Sequence, residues 1–142
     1  LTAEEIEFLK KRSDELFMGK TFSCGMTMLY CMSELFKLPL DQQVLDALNG
    51  IMEHRDYRMQ CGLYKGALMF LGIYGAAKGW DRPKLNEVTK DFAAKFEEAY
   101  GSQKCYDIRG GKFQPTEPHD KCAPTTEKGV LLAADFIKGL EA

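Results

Sequence analysis

Five cysteines, Cys24, Cys31, Cys61, Cys105 and Cys122, are the residues of this chain best suited to chemistry. The thiolate, not the thiol, is the nucleophile and the metal ligand. A helix N-terminus favours it, because its unpaired N–H groups and positive dipole end stabilise a negative sulfur. Cys24, Cys61 and Cys122 each fall near the predicted start of a helix, so the expectation is that all three are activated. Cys105 follows the end of a predicted helix and lacks that help. Cys31 lies mid-helix and reads as a small buried hydrophobe. Its spacing from Cys24 places both on one helix face, but two turns apart, too far for a disulfide.

Two kinds of chemistry suit these residues. One is thiol–disulfide or electron-transfer work, with Cys24, Cys61, Cys105 and Cys122 gathered at the N-terminal end of a central helix. In that scheme Cys61 attacks and Cys122 resolves, and the chain is a thiol-based oxidoreductase serving a redox protein partner. The other is a zinc ion or an iron–sulfur cluster held by the same four cysteines. The sequence has no C-x-x-C and no common zinc spacing; His119, three residues before Cys122, is a weak alternative ligand. His54, among Glu53, Arg55 and Asp56, reads as a surface residue. A third reading is a helical interaction module with structural cysteines, in which Met26, Met28, Met32 and Met69 serve packing or a partner surface. No phosphate loop, nucleophile elbow or H-E-x-x-H is present.

The elements that must position these residues are helices. Thr2-x-x-Glu5 is a capping box opening the first helix, whose apolar face is Ile6, Leu9, Ser13, Leu16 and Phe17. Met18-Gly19-Lys20 should end it. Thr21 or Ser23 caps a second helix bearing Met28, Leu29, Met32, Leu35 and Phe36. After Pro39, Asp41 caps a third, which Asn49-Gly50 should end early. The central helix, about 62–78, is apolar on nearly every face. Gly62 and Gly66 within it either admit a neighbouring helix or clear room beside the Cys61 sulfur for a partner sulfur or metal. A fifth helix follows Pro83 and stops at Gly101, and the last runs from about Thr125 to Leu140. The fold expected is a single all-α domain of five or six helices. A long loop, about 101–124, carries Cys105, His119 and Cys122, and a loop of that length needs a role or a cross-link.

Composition narrows the classes further. The chain has 142 residues, 45% hydrophobic, with a net charge of −2. That supports a packed core and gives no basic footprint for nucleic acid. Lys10-Lys11-Arg12 lies on an amphipathic helix and reads as a solvated face. The longest apolar run, Gly66 to Ala77, is too short to cross a bilayer. The odd cysteine count, and a chain beginning at Leu1 without a basic-then-apolar leader, carry the expectation of a cytoplasmic protein.

The run Cys61-Gly62-Leu63-Tyr64-Lys65-Gly66 resembles the CGAxxG motif of a bacterial family of roughly this length. Its signature is written C-GCAxxG-C-C, and its members carry the label redox-active. The order of cysteines also matches, with Cys24 upstream, then Cys61, Cys105 after Gly101-Ser102, and Cys122 before a final helix. Leu63 stands where the motif has Ala. Residues 51–60 replace the glycine-rich run usual upstream of the motif. Cys31 is additional. The resemblance implies redox activity at Cys24, Cys61, Cys105 and Cys122 and covers most of the chain from Cys24 to Leu140.

Overall fold

The computed structural model describes residues 1–20, 23–52, 60–108 and 122–141. It is an all-α bundle, and among the described residues there are seven helices and no strand. They are α1 (Ala3–Glu15), α2 (Cys24–Phe36), α3 (Gln42–Met52), α4 (Gly62–Lys78), α5 (Arg82–Tyr100), α6 (Cys105–Ile108) and α7 (Ala123–Leu140). The expected capping box is formed: the Thr2 N–H donates to Glu5 Oε1 at 2.9 Å and the Glu5 N–H to Thr2 Oγ1 at 3.1 Å. Ser23 caps α2, its hydroxyl accepting from the Met26 N–H at 3.3 Å. Asp81 caps α5, with Pro83 in the first turn, where a missing N–H costs nothing. Gly79 and Gly101 stop α4 and α5 in the left-handed conformation, at φ 73° and 77°.

Three boundaries depart from the expected ones. The α-helical part of α1 ends at Glu15, and Leu16–Lys20 continue as a π-helical turn that buries Leu16 and Phe17. α3 runs through Asn49-Gly50 to Met52, because the solvent-facing Gly50 meets nothing and its cost in a helix is modest. Within the segment expected as a loop, Cys105–Ile108 forms one turn of helix, and residues 109–121 lie outside the described residues.

The bundle is organised by the directions of its longer helices. α2 and α4 run the same way: Gly25 meets Gly62 and Gly66 near their starts, and Phe36 meets Phe70 and Tyr74 near their ends. α4 and α7 also run the same way, with Leu63 against Gly129 and the Tyr74 hydroxyl 3.0 Å from Glu141 Oε1. α5 returns antiparallel after the short Gly79–Asp81 turn. Its Phe92 and Phe96 stack against Tyr64, so its last residue, Tyr100, comes back to the start of α4. The core is aromatic and aliphatic: Phe70, Phe92 and Phe96 are fully buried, with Leu71 and Ile137. Met28 and Met32 are buried there too, so two of the four methionines considered as a partner surface are core packing. No described helix is long and apolar enough to cross a membrane.

Candidate dithiol site

Two dipeptides of the same sequence meet at one end of the bundle. Cys24-Gly25 opens α2 and Cys61-Gly62 opens α4. A methyl group on Gly25 would lie 3.2 Å from the Gly62 carbonyl oxygen, and one on Gly66 only 2.7 Å from the Gly25 carbonyl oxygen. The two backbones are therefore in contact, an approach that a Cβ at Gly66 would prevent. Gly66 admits the neighbouring helix, and the space beside it is filled by α2 backbone rather than held open for a cofactor. The crossing brings Cys24 and Cys61 together, side by side at two helix starts.

The two thiols hydrogen-bond to each other. That bond is the first reason the Cys61 thiol is pushed well above its ordinary value; burial and the charge Cys24 would carry add to it. Cys61 is 5% exposed, whereas Cys24 is half-buried. The N–H groups of Leu63 and Tyr64 point at the Cys61 sulfur and pull the other way. The sulfur does not form a full cap hydrogen bond with them, so theirs is the smaller effect. The expectation that the dipole at the start of α4 activates Cys61 thus fails. Burial and a sulfur partner outweigh the helix end, and Cys61 holds its proton.

Cys105 and Cys122 sit on segments that converge on the same end. The Cys61 N–H donates to the Gln103 carbonyl at 2.7 Å, and Gln60 pairs with Lys104 in an isolated antiparallel bridge, directly before Cys105. Cys122 is the N-cap residue of α7, although its side chain does not cap it. All five cysteines are thiols rather than half-cystines. All four cysteines considered as metal ligands are described. Even so, among the described residues no three of the histidines, cysteines and carboxylates stand close enough to hold a metal ion. The donor set does not fit a four-thiolate zinc or iron–sulfur centre. His54 and His119 lie outside the described residues.

Cys31 takes no part. It is fully buried, and burial pushes its thiol up to about 12, with the nearby Glu34 adding to the shift and Arg12 opposing it.

Sequence reasoning assigned no role to Tyr100. Its hydroxyl donates to the Thr125 carbonyl in the first turn of α7 at 2.8 Å. Its phenol is pushed up by burial first, then by the charges that Cys61 and Cys24 would carry. Lys128 lies 4.6 Å over the same ring and donates to the Ala99 carbonyl. A methyl on Gly129 would be 2.9 Å from the Tyr100 hydroxyl and 2.8 Å from Leu63. The signal in the sequence was Gly129, a glycine inside an otherwise strong helix.

No curated protein and no solved structure significantly matches the chain. A family model described as "Putative redox-active protein (C_GCAxxG_C_C)" matches residues 22–136. That span holds the two Cys-Gly dipeptides, Cys105, Tyr100 and the start of α7, and the chain belongs to the C_GCAxxG_C_C family.

Proposed function

We propose that the protein is a thiol–disulfide oxidoreductase whose redox couple is Cys24 and Cys61. The observation that carries this reading is the glycine crossing of α2 and α4, which sets Cys24 and Cys61 side by side at two helix starts, within hydrogen-bonding reach of each other. Roles follow from exposure. Cys24, the more accessible sulfur, attacks as thiolate; Cys61, buried and holding its proton, resolves. This reverses the expectation that Cys61 attacks, and it replaces Cys122 with Cys61 as the resolving group.

The steps balance. The Cys24 thiolate attacks one sulfur of a substrate disulfide, forming a mixed disulfide and expelling the other sulfur as thiolate. Cys61 then gives up its proton and attacks the Cys24 sulfur. The Cys24–Cys61 disulfide forms, and the second substrate sulfur leaves and takes up a proton. The substrate is reduced by two electrons and the dithiol is oxidised by two. A reducing partner, a dithiol protein or a small thiol, runs the steps in reverse. Cys105 and Cys122 flank this couple on the neighbouring segments.

The test uses an aromatic disulfide reagent that releases a coloured thiolate. Cys61→Ser should stop at a stable mixed disulfide on Cys24, identified by peptide mass. Cys24→Ser should lose the fast phase. A mixed disulfide that accumulates on Cys61 in the Cys24→Ser variant, at the wild-type rate, would overturn the assignment.

A further inference from the structure

The first turn of α7 holds a buried hydroxyl with no hydrogen-bond partner among the described residues. It belongs to Thr126, which is 1% exposed. Buried polar atoms are nearly always paired, so an orphan calls for a reason such as strain, an ordered water or a catalytic duty. Its position suggests the reason. α4 and α7 lie side by side in the same direction, with Leu63 at the level of Gly129. Thr126 is one turn earlier than Gly129 on the same buried face of α7. That places it level with the start of α4, where Cys61 stands.

Two further features act at this turn. Tyr100, at the end of α5 that comes back to the start of α4, holds the carbonyl of the adjacent Thr125 at 2.8 Å. The turn is also the N-terminus of an 18-residue helix, whose dipole favours negative charge nearby. Disulfide exchange at a buried sulfur puts negative charge where solvent cannot meet it, and a preorganised donor offsets that cost.

We propose that the first turn of α7 is a positioning element for the dithiol: the Thr126 hydroxyl, fixed by Tyr100 on the Thr125 carbonyl, donates to the charge that develops at the Cys24–Cys61 pair, directly or through one ordered water. The inference rests on the dithiol reading and deepens it. Thr126 and Tyr100 are positioning residues; the electrons and the covalent bonds stay with the two cysteines.

The test is the rate of Cys24–Cys61 disulfide closure after a pulse of an aromatic disulfide, at one fixed pH, alongside urea unfolding. Thr126→Val keeps the shape and removes the hydroxyl. Closure should slow about tenfold, the loss expected for one charge-assisted hydrogen bond. Stability should hold or rise, because an orphaned polar atom is gone. Thr126→Ser should restore the rate. Tyr100→Phe should slow closure by a smaller factor. Should Thr126→Val fail to fold, Thr126→Ala carries the same comparison. A wild-type protein that closes normally, with a Thr126→Val variant that closes at the same rate, overturns this inference and leaves the dithiol reading intact. A wild-type protein that never closes overturns both.

Discussion

Cys24 and Cys31 share helix α2, two turns apart, yet their surroundings make them different reagents. Cys24 is followed by Gly25, and the missing side chain lets α4 press its own Cys-Gly against it. Cys31 is followed by Met32, a side chain that is fully buried in the core. One cysteine meets another thiol where the starts of α2 and α4 cross. The other is fully buried in the core, and burial holds its thiol at about 12. Residue type alone does not make a redox centre here. The glycine beside Cys24 sets the two apart, because it lets the starts of α2 and α4 approach closely enough for the Cys24 and Cys61 thiols to hydrogen-bond.

The largest expected effect comes from closing the couple. A Cys24–Cys61 disulfide staples α2 to α4 across the intervening chain, α3 included. Loop-closure entropy predicts that the oxidised protein is more stable by about 3–4 kcal/mol, measured by urea unfolding with and without reductant. Cys24→Ser and Cys61→Ser should each abolish the difference, and Cys31→Ala should leave it.

The next effect separates two glycines on one helix. At Gly66 a Cβ would lie 2.7 Å from the Gly25 carbonyl oxygen, a backbone atom that cannot swing away. Gly66→Ala should destabilise by about 1–3 kcal/mol and also suppress disulfide formation, because the helices must part. At Gly72 a Cβ would meet nothing within 4 Å. Gly72→Ala should stabilise by up to about 1 kcal/mol through helix propensity and leave the couple unchanged. Paired unfolding curves and thiol titrations of the two variants check both halves.

The smallest effect concerns alkaline pH. The Cys31 thiol is raised from 9.0 to about 12 in the folded protein, so the native state keeps a proton that the unfolded chain gives up. Its contribution to stability is fully present below pH 9.0 and is lost as pH rises toward about 12. Cys31→Ala should flatten that part of the stability profile. In the native protein at neutral pH, Cys31 should also resist alkylation while Cys24 reacts.

Much of this architecture was readable before any coordinates, and the reasons differ by element. The capping box at Thr2, the break at Pro83 and the glycine stop at Gly101 are local signals, and local signals set helix ends. The π-helical turn at Leu16–Lys20 was not readable, because it answers to the burial of Leu16 and Phe17 rather than to propensity. The placement of Cys24 at a helix start followed from the capping residues before it, and that of Cys61 from the apolar helix that begins at about Gly62. Their pairing did not, since it depends on which helix α4 crosses. The repeated Cys-Gly dipeptide, Cys24-Gly25 and Cys61-Gly62, is the clue that the sequence carries. The upward shift of the Cys61 thiol was hidden for the same reason. A helix dipole is visible in sequence, whereas 5% exposure and a sulfur neighbour are properties of packing.

The central claim is that Cys24 and Cys61 form one reversible couple. Oxidation of the native protein in a glutathione buffer, followed by alkylation of remaining thiols and disulfide peptide mapping, tests it most directly. The account predicts one dominant cross-linked pair, Cys24 with Cys61, that dithiothreitol removes, with Cys31 recovered as thiol. A dominant link from Cys61 to Cys105 or Cys122, or Cys24 and Cys61 both recovered as separate thiols, would contradict it.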